Sequence, residues 1–189
     1  MIQKTVELGF FLALALSLAY VESLIPFSFG IPGIKLGLPN LIVVLLLYRG
    51  NIGWNNGNVN SAERSGVKEA VLVNGLRIVL SGFLFSNLYT ILYALMGALF
   101  SLVAMFLGRR LHFFSVIGVS VLGGVFHNIG QIIVAMVVVE TVYVGYYVPF
   151  LIISGTVTGA LLGFMAMELM PYLYRSTGTT DCKDVQNRR

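Results

Sequence analysis

YVESLIPFSFGIPGIKLGLPNLIVVLLLY, residues 20–48, joins the end of one apolar run to the whole of another through a segment that cannot be regular. Pro26, Pro32 and Pro39 are interspersed with Gly30, Gly33 and Gly37, and Lys35 is the only charge between them. On the N-terminal side lies ELGFFLALALSLAY, residues 7–20. Irregular backbone close to membrane depth is tolerated only where protein buries it or it lines a cavity. The segment therefore reads as a lid over a polar pocket, set against the plainer reading of an exposed turn.

Composition supports a membrane setting. The chain has 189 residues, 57% hydrophobic and 11% charged, with mean hydropathy +0.88. A soluble domain of this size would expose too much apolar surface, so an all-α integral membrane protein is expected. The formal charge of +4 does not point to nucleic acid, because the cations sit at span ends rather than clustered on one wettable face. Cys182 is the only cysteine, which excludes an intramolecular disulfide. Lys4 before an apolar run, with Ser17-Leu18-Ala19 after it, loosely resembles a secretory signal. The run is instead read as retained, as the first of several similar spans.

A bilayer-crossing helix needs about 20 mostly apolar residues. Six spans are expected, at 5–25, 38–49, 67–85, 88–108, 114–139 and 146–170, the second short and the third interrupted by polar residues. They make one membrane domain over 1–174, followed by a polar tail at 175–189. With the N-terminus inside, Lys4, Arg49, Arg64, Lys68, Arg109, Arg110, Arg175, Lys183, Arg188 and Arg189 are cytoplasmic, ten of the twelve cations. Both termini are thus expected in the cytoplasm, and a multi-pass protein of the plasma membrane follows. Residues 50–66, rich in Asn and Gly, read as a cytoplasmic loop.

Ionisable and amide groups inside spans are expensive, so they mark function by default. Asn74, Arg77 and Ser81, at i, i+3 and i+7, share one helical face. Arg77 is either a cation paired with a buried acid or an anchor for an anionic or carbonyl-rich ligand. His127, Asn128 and Gln131 crowd one helical segment, either as a binding face or as staples between helices. Glu22, Asn40, Ser81 and Gln131 all fall in the expected outer half. With Lys35 in the loop above, the candidate ligand-binding set is Glu22, Lys35, Asn40, Asn74, Arg77, Ser81, His127, Asn128 and Gln131.

Small residues let membrane helices approach closely. Gly155, Gly159 and Gly163 recur every four residues, as do Ala15 and Ala19, beside Ala13 and Ser17. The first stripe is read chiefly as internal packing, the second as internal packing or docking to another membrane protein.

Several chemistries lack their residues. There is no G-x-x-x-x-G-K-[ST] phosphate loop, and the only aspartates are Asp181 and Asp184, in the tail. Carboxylate clusters for Mg²⁺ and diphosphate, and metal-ligand spacing, are absent from the sequence. A binding role without catalysis, cofactor or metal is expected.

YVESLIPFSFGIPGIKLGLPN, KEAVLVNGLRIVLSGFLF, IGVSVLGGVFHNIGQ and PFLIISGTVTGALLG together resemble the Gx transporter family, also described as heptaprenyl diphosphate synthase component I. That family is similar to the substrate-binding S components of energy-coupling-factor transporters. The resemblance implies a six-helix S-component fold and an outer loop that caps a small, vitamin-like or anionic molecule. It also implies an Ala-x-x-x-Ala stripe, matched by Ala15 and Ala19, that meets a transmembrane coupling protein powered by a pair of ATPases. The second family description implies instead a noncatalytic membrane partner of a soluble prenyl synthase. The 50–66 segment is longer than the compact turn this family leads one to expect.

Overall fold

The computed structural model describes residues 2–24, 37–49, 59–85, 87–111 and 113–175. Six α-helices run through them: α1 (Ile2–Leu24), α2 (Asn40–Arg49), α3 (Val59–Phe85), α4 (Leu88–Arg110), α5 (Val116–Val138) and α6 (Val148–Arg175). A short 3-10 helix, Val142–Tyr147, leads into α6. Successive helices alternate in direction, so the ends marked by Leu24, Asn40, Phe85, Leu88, Val138 and Val148 all face one way. Helix starts follow ordinary capping: Asn87 Oδ1 accepts from Thr90 N–H at 2.9 Å, and Ser115 Oγ accepts from Gly118 N–H at 3.2 Å.

The surface is apolar and the interior carries the polar groups. On α3, Val71, Leu72, Leu76, Val79, Leu80, Phe83 and Leu84 are exposed, while Asn74, Arg77 and Ser81 are buried beside Ala70, Val73 and Ile78. α1, α4 and α6 likewise present exposed Phe, Leu, Val and Ile side chains. An apolar surface this extensive belongs in lipid rather than water. Among the described residues four helical segments are long and apolar enough to cross a membrane: Lys4–Leu24, Leu88–Arg110, Val116–Val138 and Val142–Tyr172. The chain is a multi-pass membrane protein.

α2 behaves differently from the span expected at 38–49. Its 10 residues reach about 15 Å, half of a hydrocarbon core of about 30 Å. Leu41 to Leu47 are all buried, with Val44 and Leu46 at 0% exposure. Such an all-round apolar helix is a core element, and it packs against α3, α5 and α6. Its last turn is closed by α4: Arg109, itself buried, donates from Nη1 to the Leu47 carbonyl and lies 5.4 Å from the Tyr48 ring centroid. A cation read from sequence as a topology marker thus also caps a helix C-terminus.

The segment read as a loop over 50–66 is a loop at most in part, because α3 already starts at Val59. Ala62, Glu63 and Arg64 favour helix, so a polar stretch can extend the helix beyond its apolar portion. Residues 50–58 lie outside the described residues, as do 176–189. α6 runs on past Pro171, five residues beyond the expected end at 170.

α5 is the central helix, packed along α4 on one side and α6 on the other. Hydrocarbon is as apolar as leucine, so cohesion here comes from close van der Waals contact. The stripe at Gly155, Gly159 and Gly163 supplies it. A Cβ built at Gly124 would lie 2.5 Å from the Gly155 carbonyl oxygen, and one at Gly159 would lie 2.7 Å from Val121 Cα. Towards α4, a Cβ at Gly130 would lie 2.6 Å from the Met96 carbonyl oxygen. α1 is held on α3, with Lys4 Nζ 3.0 Å from Glu69 Oε1.

Candidate functional site

Four chain segments bring polar groups to one buried cluster. α1 supplies Glu22, the turn entering α2 supplies Gly37 and Asn40, α3 supplies Asn74 and Arg77, and α5 supplies His127 and Gln131. All are buried, Arg77 to 6% and Gln131 to 1% exposure.

The turn before α2 is the hinge of this arrangement. Gly37 adopts φ 81°, in the left-handed region. A Cβ there would also stand 3.0 Å from Asn40 Nδ2 and 3.5 Å from His127 Cδ2, so both conformation and space require glycine. The Gly37 N–H donates to Glu22 Oε1. Asn40 N–H donates to the Gly37 carbonyl at 2.9 Å, Leu41 N–H to Leu38 at 3.1 Å, and Ile42 N–H to Pro39 at 3.1 Å. The first donors of α2 are therefore spent within its own turn. The turn thus meets α5 11 residues, about 16 Å, before that helix ends, and meets α1 two residues before its end at Leu24.

Arg77 sits across from that turn. Its Nη2 donates to Asn74 Oδ1 at 2.6 Å, and its charge acts on both Glu22 and His127. His127 and Gln131, one turn apart, lie against α4 at Gly97. A Cβ on Gly97 would fall 2.8 Å from His127 Cε1 and 3.0 Å from Gln131 Cγ. Glycine at 97 is what lets these two side chains occupy the α4–α5 interface.

The cluster is not self-sufficient. Arg77 Nε, His127 Nδ1 and Gln131 Oε1 are buried without a hydrogen-bond partner, and so is Ser101 Oγ one turn further along α4. Most buried polar atoms in proteins are paired, and each one left unpaired costs about 1–3 kcal/mol. A donor, an acceptor and an imidazole nitrogen gathered this way suit a molecule that brings the complementary groups.

Of the expected binding set, eight residues fall within the described parts and all eight are buried. Two of them direct their polar atoms elsewhere. Asn128 Nδ2 donates to the Leu151 carbonyl at 2.9 Å, on the face of α5 that meets α6, so it acts as a staple between helices. Ser81 Oγ turns back to the Ile78 carbonyl of its own helix at 3.3 Å. Lys35 and the lid expected over 25–36 lie outside the described residues.

Ala15 and Ala19, expected to face a coupling protein, point inward with 2% and 4% exposure; the Ala15 side chain is part of the core around α2. Their small size serves packing within the chain. Gly9, Ala13 and Ser17, spaced four residues apart, are small and exposed on α1. Sequence reasoning missed three contributors: the Gly37 N–H, Gly97 and Ser101. Gly97 and Ser101 share one face four residues apart, a signal present in MGALFSL but without a partner to give it meaning.

The family model for heptaprenyl diphosphate synthase component I matches residues 11–169, and the chain belongs to that family. No curated protein and no solved structure matches it.

Proposed function

We propose that this chain is a substrate-specific membrane binding component, of the S-component kind, that takes up a small molecule from outside the cell for an energy-coupled transporter. The observation that carries this reading is the buried polar cluster with unpaired atoms at Arg77, His127 and Gln131, set deep within an apolar helix bundle. The cation distribution orients the cluster towards the outer face, with both termini inside. Under this reading all six helices belong to the membrane domain, with α2 sheltered in its centre, and the membrane is the plasma membrane. Uptake energy comes from a transmembrane coupling protein and a pair of ATPases, since this chain has no phosphate loop.

The coupling contact belongs on the outward face of α1, at Gly9, Ala13 and Ser17. Ser17 Oγ is bonded to the Ala13 carbonyl at 2.9 Å, so that face presents no free hydroxyl to lipid or to a neighbouring helix. Ala13→Leu should then release the coupling protein while ligand binding persists. Ala15→Leu should instead lower the stability of the chain itself, because it overfills the core around α2.

The family description favours a second reading, a noncatalytic membrane subunit associated with a soluble prenyl diphosphate synthase. Affinity purification from native membranes separates the two. Recovery of a transmembrane protein with two ATPases supports transport, whereas a stoichiometric prenyl synthase without ATPases supports the alternative.

A further inference from the structure

Exposed tyrosines gather where α4 begins and where α5 passes into α6. Tyr89 lies in the first turn of α4, and Tyr143, Tyr146 and Tyr147 occupy the 3-10 helix before α6, with Tyr146 81% exposed. Side chains three apart eclipse in a 3-10 helix, and the Tyr143 and Tyr146 rings stack with centroids 6.2 Å apart. The other face of that helix is fixed to the bundle. Val144 and Val148 pack on Tyr93, Ile132, Ala135 and Leu151, and the Thr141 N–H donates to the Met136 carbonyl at 3.2 Å. The tyrosine rings point away from the protein on this mount.

The distance from these rings to the next exposed charge is the same on two helices. From Tyr89 along α4 that charge is Arg110, and from Tyr147 along α6 it is Glu168. Each interval is 21 residues, about 31 Å of helix, against a hydrocarbon core of about 30 Å. Within the α4 interval the exposed side chains are Leu92, Leu95, Leu99, Val103 and Leu107. Those of α6 are apolar except Thr156, whose hydroxyl donates to the Ile152 carbonyl at 2.8 Å. Tyrosine suits the boundary itself, because its ring is apolar and its hydroxyl forms hydrogen bonds.

We propose that Tyr89, Tyr143, Tyr146 and Tyr147 seat the protein in the headgroup layer of the outer leaflet. Their rings lie against the first chain carbons and their hydroxyls against lipid ester and phosphate oxygens, and the hydrocarbon slab below them ends at Arg110 and Glu168. Gly97, on which His127 and Gln131 pack, lies eight residues from Tyr89, about 12 Å into that slab. The anchor thus sets how far below the lipid surface the α4 side of the cluster lies.

The test reads depth by tryptophan fluorescence in the full-length protein, reconstituted in phosphatidylcholine vesicles. Trp54 is the only tryptophan, so Trp54→Phe leaves a background in which one introduced indole reports alone. The reporters are Tyr89→Trp and Tyr146→Trp, with Leu99→Trp and Val157→Trp as references, exposed positions ten residues along from Tyr89 and Tyr147. Part of the lipid carries bromine either near the glycerol end of its chains or near their tips. Positions 89 and 146 are expected to be quenched more by the shallow bromine than by the deep one, and positions 99 and 157 the reverse. A shallow-to-deep ratio of one or less at position 89 or 146 would overturn the inference. So would quenching there by aqueous iodide with no response to either brominated lipid, which would place the rings in water.

Discussion

At the residue scale, function and stability should pull in opposite directions. Gln131 is almost fully buried with an unpaired carbonyl, a state that costs about 1–3 kcal/mol. Gln131→Leu removes the unpaired group at similar volume, so the ligand-free protein should melt higher in detergent by a few degrees. Ligand affinity should fall about tenfold or more, because the lost hydrogen bond is made inside the protein. A purely structural glutamine would show the reverse, a lower melting temperature. Much of this cluster was legible in the sequence, because Asn74, Arg77, His127 and Gln131 are conspicuous in apolar helices whatever their partners. Their division of labour was not: His127 and Asn128 are adjacent in the chain, yet a rotation of about 100° per residue sends one towards α4 and the other towards α6. Only packing could reveal which side each one serves.

Elements are held together by backbone contact, and glycine sets the distances. Gly130→Ala should destabilise by about 1–3 kcal/mol, since its new methyl meets the Met96 carbonyl and Gly97 Cα, which no side-chain rotation can clear. Gly75→Ala is the matched control. Nothing lies within 4 Å of a Cβ there, so helix propensity alone should act and stability should hold or rise by up to about 1 kcal/mol. Thermal unfolding of the two variants in one detergent compares them directly. The stripe at Gly155, Gly159 and Gly163 was readable from its period, and its internal role followed from the α5 backbone opposite. Two elements were misjudged for a common reason. Apolar count made α2 a span although its 10 residues are too few, and polar count made 59–66 a loop although α3 runs through it. Composition reports what surrounds a segment, and here protein surrounds α2 where lipid was expected.

At the scale of the whole molecule, the described residues form an apolar-surfaced bundle in which unpaired polar atoms gather at a buried cluster among the helices. Membrane class and helical architecture followed from hydrophobic runs alone, because span length is set by bilayer thickness. The seating of the turn at Gly37 did not. It depends on α2 being short and on His127 receiving that turn, a contact between residues 90 positions apart in the chain. That contact makes the turn at Gly37 one wall of the cluster. The central claim, that this cluster holds a small molecule, is tested most directly by native mass spectrometry of the protein released from its own membrane. The account predicts one bound small molecule per chain, retained by the unaltered protein and lost from both Arg77→Ala and Gln131→Leu. The bare chain mass in every preparation, or a bound mass indifferent to both substitutions, would contradict it.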